Sequence, residues 1–405
     1  MTDIPTRIAV AEAEAIIDRV AAQHRLGSES VTLARAHGRV LAEPVIAGLA
    51  LPPFDNSAMD GFALRHADLG DGETVLTLAG ERFAGVVDAE ASIQAGQCLR
   101  ITTGASVPTG ADTVVMKEHT RVEGGRVQVL QAPLLGANIR RAGEDVQPGD
   151  AVLAAGIRLT PARIGLASAL GLPALPVRIR PTVAVFTTGD ELIEPGLTLP
   201  PGGIYNSNRE QLMGWLRTQG LEPVAWPNLP DDAERTAVAL RDAADSFDVV
   251  ITCGAVSAGE KDHIPAILQR HGRLHFWKVR MKPGMPVLLA TLGRACVLGL
   301  PGNPVSVLAT AATLGRRLLD GLQDCRDGEP PLSARLATPW HKRHERLEFL
   351  RGRLQCDAQG VLHVQPDPAD GSHRMRAAAD SNALIVLDEG PRDYPAGTPV
   401  RVLRL

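Results

Sequence analysis

The chain is poor in aromatic residues and in cysteine. Only 3% of its 405 residues are Phe, Trp or Tyr, so its cores must be built from Leu, Val, Ile and Ala. The five cysteines are scattered, and no two are spaced as Cys-x-x-Cys. This pattern argues against a disulfide framework and a structural zinc site, and it favours a reducing compartment.

Long apolar runs and a basic excess are also missing. No window approaches the roughly 18 apolar residues of a membrane span. The N-terminal segment carries several acidic residues instead of the basic start and apolar run of a secretory signal. A net charge of −4 argues against general nucleic-acid binding, which needs a basic excess. We therefore predict a cytoplasmic protein with no nucleic-acid and no membrane partner.

What is present is the composition of a globular protein, with 44% hydrophobic and 22% charged residues. The length predicts two to four domains. Residues 51–146 contain short β-rich runs between Gly and Pro turns, which indicates a small β domain. Residues 147–180 include a helix that Thr160 can cap. The apolar spacing of residues 8–26 predicts an amphipathic N-terminal helix. We expect the later helix to pack against it and to form one discontinuous domain from 1–50 and 147–180.

In residues 181–328, apolar strand patterns alternate with helical ones. Such alternation predicts a doubly wound, mostly parallel α/β domain with helices on both faces of the sheet. Residues 329–405 return to strands and turns, which fits a small β barrel or a sandwich, and we predict the barrel. The expected fold class is thus multidomain α/β and β, with a central α/β domain, small β domains and a C-terminal barrel.

Three predicted strands of the α/β region end in glycine-containing loops, at 187–191, 253–262 and 300–306. In an open parallel sheet the ligand site lies beyond the carboxyl ends of the strands. Glycine lets backbone N–H groups approach a ligand closely, and a helix start favours an anion. We therefore expect a phosphate-bearing ligand at these loops.

The same loops are acidic, since they contain Asp190, Glu191, Glu260 and Asp262. These carboxylates would repel a phosphate unless a cation lay between them, and Mg²⁺ is the natural candidate. The alternative is purely structural, because Gly-Asp and Gly-Glu after a strand are common in turns and helix caps.

Two nucleotide-binding motifs are excluded. Gly254 and Gly259 have the gap of a Walker A loop, but Glu260 stands where that motif needs a lysine, and Asp262 replaces the Ser or Thr. No Gly-x-Gly-x-x-Gly opens a helix, so a dinucleotide fingerprint is absent. His-Glu-x-x-His and Gly-x-Ser-x-Gly are absent as well.

The small β region has its own polar segments, at 52–63, 100–112 and 138–145. The first is rich in Asp, Asn and Ser, which is typical of a loop held by side-chain hydrogen bonds. The paired Arg140 and Arg141 either bind an anion or are simply solvated. Each segment alone is compatible with a structural turn.

Taken in order, these segments form one series of motifs. The series comprises Phe54–Gly61, Thr103–Ala105, Gly110–Asp112, Arg140–Asp145, Thr188–Leu192, Asn206–Asn208, Val256–Asp262, Lys282–Gly284 and Gly299–Ser306. It resembles the MoeA family of molybdopterin molybdenumtransferases, which includes the gephyrin E domain, over nearly the whole chain. Any one motif is weak evidence, whereas the ordered set is specific.

The resemblance implies an activity and an assembly. The family inserts molybdate into adenylylated molybdopterin, releases AMP and uses a divalent metal, usually Mg²⁺. It implies an elongated homodimer, in which the α/β domain of one subunit faces the β domain that carries Asp60 of the other. A molybdopterin adenylyltransferase and molybdoenzymes are possible further partners.

The resemblance also implies roles for residues at matching positions. The metal ligands would be Asp190, Glu191 and Asp262. The catalytic residues would be Asp60, Thr103, Asp145, Glu191 and Asp262. Substrate binding would involve Gly189, Asp190, Ser257, Gly259, Glu260, Lys282, Pro301, Gly302, Asn303, Pro304 and Ser306.

Three residues depart from the family pattern. Ala255 adds a Cβ where glycine is usual, Met285 stands where a second lysine is usual, and His263 replaces a common tyrosine. Two alternatives to the transferase therefore stay open: a non-catalytic carrier or scaffold for the cofactor, and a paralogue specialised for tungstate.

Overall fold

The structure is a computed structural model that describes residues 4–70, 72–85, 92–230, 232–257, 262–328, 330–369 and 371–405. The predicted site residues Gly259 and Glu260 lie outside these residues. The α-helices are α1 (Val10–Gln23), α2 (Pro161–Ala169), α3 (Ser207–Thr218), α4 (Ala233–Ser246), α5 (Ile264–His271), α6 (Pro304–Thr310), α7 (Arg316–Leu322) and α8 (Met375–Ala379). A π-helical turn, Ala311–Gly315, joins α6 to α7.

A seven-stranded sheet forms the centre of the molecule. Its strands, in spatial order, are Thr6–Ile8, Arg273–Val279, Leu288–Leu292, Ala295–Leu300, Val249–Cys253, Val183–Thr187 and Val224–Ala225. Neighbours are parallel except where Leu288–Leu292 pairs antiparallel on both sides. One face packs on α1, α3, α6 and α7, and the other on α4 and α5. Because both faces are covered, the inner strands are continuously apolar, and the predicted doubly wound domain is confirmed.

The small β region contains a six-stranded sheet. Its strands, in spatial order, are Thr113–Met116, Gly61–Leu64, Gln97–Ile101, Thr74–Arg82, Arg126–Val129 and Thr120–Glu123. Beside it, Asn56–Ser57 pairs antiparallel with Ile139–Arg140. This pairing places two of the polar segments next to each other.

The segment after α1 joins residues 147–180. Ser28–Thr32 pairs with Ala174–Arg178, and Val45–Ile46 pairs with Ala151–Leu153. Thr160 caps α2 through the N–H of Arg163, as expected. The expected packing of α2 against α1 was wrong. The strand Thr6–Ile8 belongs to the central sheet, so α1 packs there against α7, and α2 buries its apolar side against the strands after α1.

The C-terminal region is a barrel rather than a sandwich. Its strands are Leu332–Leu336, Leu347–Cys356, Leu362–Pro366, Ala383–Leu387 and Pro399–Arg404. The pairing of Leu347–Cys356 with Ala383–Leu387 closes the ring. The short strand Met281–Lys282 from the α/β region adds to this barrel beside Leu347 and Glu348.

The remaining regular elements are short. They are the strand pairs Leu192–Ile193 with Ile204–Tyr205 and Trp340–Lys342 with Arg392–Tyr394, and the 3₁₀ turns Leu33–Arg35, His66–Asp68 and Lys117–His119. In the described parts of the chain, every helix is too short or too polar to cross a membrane. All five cysteines are unpaired thiols, and burial raises the pKa of Cys253 to about 12.

Candidate functional site

A cleft of about 310 Å³ opens at the carboxyl ends of three central strands. These strands end at Thr187, Cys253 and Leu300, each of which is the first residue of one of the three loops predicted from the sequence. The lining residues are Thr188, Gly189, Glu191, Gly254, Ala255, Val256, Ser257, Asp262, Pro286, Pro301 and Gly302. The three predicted loops thus share one site.

Two glycines of the cleft adopt backbone conformations that favour glycine. Gly254 has φ +96° and Gly189 has φ +131°, a region that L-residues rarely adopt. A Cβ on Gly254 would also lie 2.4 Å from Oγ1 of Thr188, and a Cβ on Gly189 would lie 2.5 Å from Oε2 of Glu191, so these side chains would have to move. The carboxylate of Glu191 therefore lies close to the Gly189 backbone.

The loop that follows Gly254 is contacted by Trp277 from the strand Arg273–Val279. Ala255 adopts the left-handed region, with φ +52°. The carbonyl of the next residue, Val256, accepts a hydrogen bond of 2.7 Å from Nε1 of Trp277. The ammonium of Lys278 lies 4.2 Å from the centre of that indole ring. These contacts fix the backbone conformation of a loop that carries a non-glycine residue at positive φ.

Asparagines at the start of α3 organise the other two loops. Asn206 is fully buried, and its Nδ2 donates to Oγ1 of Thr187 at 2.8 Å and to Oδ1 of Asn228 at 3.1 Å. Nδ2 of Asn208 donates to the carbonyl of Gly302 at 2.7 Å. The sequence analysis predicts no role for Asn206 or Asn208. Two asparagines at the start of a predicted helix were the pattern that could have identified them.

Of the three predicted metal ligands, Glu191 and Asp262 line the same cleft, whereas Asp190 is not among its lining residues. Within the described residues, no three His, Cys, Asp or Glu side chains are grouped closely enough to hold a metal ion. Two carboxylates fit Mg²⁺ when substrate phosphates and water complete its oxygen shell. The donor chemistry therefore suits Mg²⁺ only together with a bound phosphate.

The start of α6 offers fewer free N–H groups than expected. Pro301 and Gly302 line the cleft, and Asn303 occupies the N-cap without a side-chain capping bond. Pro304 has no N–H, and the N–H of Val305 donates to the carbonyl of Ser372 at 3.2 Å. Ser306 is buried, and its carbonyl accepts from Thr310. This arrangement weakens the predicted anion pocket at the helix dipole itself.

Lys282 lies outside the cleft lining, although Pro286 of the same segment is part of it. Its Nζ is 3.0 Å from Oε1 of Glu348 in the barrel. Of the departures from the family pattern, Met285 accepts a backbone hydrogen bond from Val279, and His263 is the N-cap residue of α5 without a side-chain capping bond.

In the small β region, Asp60 and Thr103 are in contact. Oδ1 of Asp60 accepts from the backbone N–H of Thr103 at 2.8 Å and from its Oγ1 at 2.9 Å. These hydrogen bonds, the backbone one first, lower the pKa of Asp60, with a smaller contribution from Lys117. Asp60 is therefore a carboxylate held open to solvent at neutral pH.

The other polar segments converge nearby. Asp55 accepts from the backbone N–H of Ala142 at 2.8 Å and from Nη1 of Arg141 at 2.7 Å, and both interactions lower its pKa. Arg141 is thus paired internally. Asp145 is exposed, and its N–H donates to the carbonyl of Leu51. We call Asp55, Asp60, Thr103, Arg141 and Asp145 the small-domain cluster.

Comparisons with known families cover most of the chain. Residues 8–171 match the MoeA N-terminal region (domain I and II). Residues 184–321 match the family described as "Probable molybdopterin binding domain". Residues 333–405 match the MoeA C-terminal region (domain IV). The cleft lies within the second of these segments, and the small-domain cluster lies within the first.

Relatives match at nearly full length. A molybdopterin molybdenumtransferase of Haemophilus influenzae is 38% identical over 93% of this chain and 93% of its own. Molybdopterin molybdenumtransferase 2 of Mycobacterium tuberculosis is 39% identical over 92% of this chain and 94% of its own. The crystal structure of the molybdopterin biosynthesis moeA protein from Pyrococcus horikoshii OT3 matches with a TM-score of 0.84 and 28% identity, covering 98% of this chain and 100% of that one. The chain therefore belongs to the MoeA family.

Proposed function

We propose that this protein inserts molybdate into adenylylated molybdopterin with release of AMP, as a cytoplasmic step of molybdenum cofactor biosynthesis. The observation that carries the proposal is the cleft at the ends of the central strands, where Glu191 and Asp262 face a glycine-rich backbone. That cleft lies in the segment that matches a molybdopterin-binding family. Full-length relatives named for the transferase support the same reaction.

In this proposal Glu191 and Asp262 would hold Mg²⁺ when a phosphate-bearing substrate is bound, and Asp190, in the same loop as Glu191, would support them. Bound there, the metal would neutralise charge on the phosphates. Gly189, Ser257 and the 301–306 loop shape the pocket for the pterin nucleotide, and Gly259 and Glu260 are assigned to its binding from sequence alone. Lys282 contributes positive charge toward molybdate. Asp60, Thr103 and Asp145 contribute to catalysis from the small β domain.

We further propose a homodimer that brings the small-domain cluster of one copy to the cleft of another. Support comes from exposed apolar residues of the small β region: Phe54 and Met59, which precede Asp55 and Asp60 in the sequence, and Leu134 and Leu135. Leu134 keeps 85% of its surface open. Large exposed apolar side chains that form a patch are typical of a protein interface. A molybdopterin adenylyltransferase and molybdoenzymes remain candidate partners.

The domain division 1–50 with 147–180, 51–146, 181–328 and 329–405 also stays a proposal. Its support is that the segments 28–50 with 147–180, 51–146 and 329–405 each contain an apolar cluster of their own. The cluster of the α/β region also includes Phe349, Leu384 and Val386 of the barrel. Because α1 packs on the α/β core, residues 1–50 are shared between the α/β domain and the domain that contains 147–180.

AMP release tests the reaction. Purified protein is mixed with adenylylated molybdopterin, Mg²⁺ and molybdate, and AMP is measured with and without molybdate. We expect molybdate-dependent release that falls by about 100-fold or more in Glu191→Gln and Asp262→Asn. Glu210→Gln, an exposed change on α3, is the matched control and should retain activity.

The second candidate is a non-catalytic carrier or scaffold. Ala255 and Met285, which replace residues usual in the family, are the observations that favour it. Tight binding of the pterin nucleotide without AMP release would support this reading and contradict the transferase. Release that depends on tungstate but not on molybdate would instead identify the tungstate paralogue.

A further inference from the structure

A buried carboxylate lies beneath Lys282, where the α/β region meets the barrel. In the pairing of Met281–Lys282 with the barrel, Lys282 is opposite Glu348. Its Nζ lies 3.0 Å from Oε1 of Glu348. The side chain of Glu348 is 3% exposed, whereas that of Lys282 is 25% exposed. The pair is therefore fixed by the backbone register and desolvated on the glutamate side.

Glu348 has further polar neighbours from its own region. Nε2 of His344 is 3.3 Å from Oε1, and Nε1 of Trp340 donates to Oε2 at 3.4 Å. A buried carboxylate with hydrogen-bonding groups around both oxygens keeps its position, because moving it would leave an uncompensated charge. Glu348 is thus a fixed anion beside Lys282.

A second buried cation in this cluster has a structural task. Lys342 is 1% exposed, and its Nζ donates to the carbonyls of His344 and Gly390 at 2.6 and 2.7 Å. Its ammonium stabilises the turns around the glutamate. Of these two lysines, Lys282 is the one whose side chain reaches solvent and can meet a small anion.

We propose that Glu348 is a positioning residue that fixes the Lys282 ammonium and offsets its charge, and so sets how tightly the protein binds an incoming oxyanion. This inference rests on the role proposed above for Lys282. An oxyanion at Lys282 shares the ammonium with Glu348 and is repelled by that carboxylate. Removal of the charge on Glu348 therefore strengthens oxyanion binding and loosens the placement of Lys282.

Isothermal titration calorimetry with sodium molybdate, without any pterin, tests the inference on the full chain. Glu348→Gln keeps the size and one carbonyl acceptor but removes the charge. We expect its Kd for molybdate to fall by about fivefold or more, since the two charges interact at short range away from bulk water. Glu389→Gln is the matched control, because Glu389 is an exposed partner of Arg280 in the same region, and its effect should stay below about twofold.

A double-mutant cycle ties the effect to the lysine. In a Lys282→Met background, Glu348→Gln should no longer strengthen binding. If Glu348→Gln does not fold, as judged by circular dichroism, Glu348→Asp retains the charge but draws it away from Lys282. It should then shift the Kd in the same direction by a smaller factor.

The inference is overturned if wild type and the tested Glu348 variant bind molybdate with equal affinity, or if neither binds it detectably. Weaker binding by the variant overturns it as well. The AMP assay separates this outcome from failure of the proposed reaction. Molybdate-dependent AMP release with an unchanged Kd in the variant contradicts only the role of Glu348. A lowered Kd without AMP release contradicts only the transferase.

Discussion

At the scale of single residues, the cleft depends on backbone conformations that few side chains tolerate. Gly189 and Gly254 have positive φ, and Ala255 holds a left-handed conformation next to Gly254 in the sequence. An L-residue in that region costs about 1–2 kcal/mol. The strain at Ala255 is local, because the contact of Trp277 with Val256 holds the next residue.

Ala255→Gly is expected to stabilise the protein. Relief of the left-handed strain exceeds the added entropy of glycine in the unfolded chain, so the free energy of unfolding should rise by about 0.5–1 kcal/mol. Gly254→Ala, one position earlier, should lower it by about 1–3 kcal/mol, because φ there is +96° and because the new Cβ, 2.4 Å from Thr188 Oγ1, would displace that side chain. Urea denaturation measures both. Destabilisation by Ala255→Gly would contradict this account.

Asp55→Asn should change how stability depends on pH. The pKa of Asp55 lies below its ordinary value of 3.8 in the folded protein, because Ala142 N–H and Arg141 favour the carboxylate. Its contribution is therefore present above about pH 3.8 and is lost as the pH falls through the lower folded value. With solvent screening, we expect less than about 1 kcal/mol.

The measurement is urea denaturation of wild type and Asp55→Asn between pH 7 and pH 3. The difference should be constant at the neutral end and should shrink at the acid end. Glu123→Gln, an exposed change in the same β region, serves as the control. A difference that grows on acidification would refute the assignment.

At the scale of elements, α3 determines the shape of the cleft without lining it. Its N-cap Asn206 joins the strand ending at Thr187 to Asn228, while Asn208 and Gln211 hold the loop that precedes α6. A helix that holds two loops at once fixes their separation. The separation of these loops therefore depends on α3.

Asn208→Ala should loosen the third loop. Loss of the hydrogen bond to the Gly302 carbonyl should lower the free energy of unfolding by about 0.5–1.5 kcal/mol. The binding free energy of the pterin nucleotide should weaken by a similar amount. Asn208→Asp is the matched variant, because it has the same shape but cannot donate. Calorimetric titration measures the Kd, and affinity equal to wild type in both variants would exclude a positioning role for Asn208.

At the scale of the whole molecule, the candidate catalytic and binding residues lie in two separate places. The cleft lies in the α/β region, and the small-domain cluster lies on the six-stranded region. A site built from both parts requires that they meet in the assembly. In the proposed homodimer, the small-domain cluster of one subunit meets the cleft of the other.

Subunit complementation tests that arrangement. Asp60→Ala and Glu191→Ala should each abolish AMP release when present in both subunits. Mixed dimers of the two variants contain one intact site, so refolded mixtures should regain about a quarter of wild-type activity if the pairing is random. The Asp60→Ala, Glu191→Ala double variant mixed with itself is the control. Mixtures as inactive as the single variants, although sedimentation shows dimers, would place the whole site within one subunit.

The sequence by itself determined the alternation of buried strands and helices, the glycine-rich loops at the strand ends and the barrel-forming C-terminal segment. Those features depend on local periodicity and on residues close together in the chain. Tertiary structure decided the packing of α1 on α7, the pairing of Asp55 with Arg141 and the burial of Glu348 beneath Lys282. Each of these contacts joins residues far apart in sequence. Their charges and apolar surfaces find partners only when the strands and helices are assembled, because register and packing, rather than composition, bring them within bonding distance.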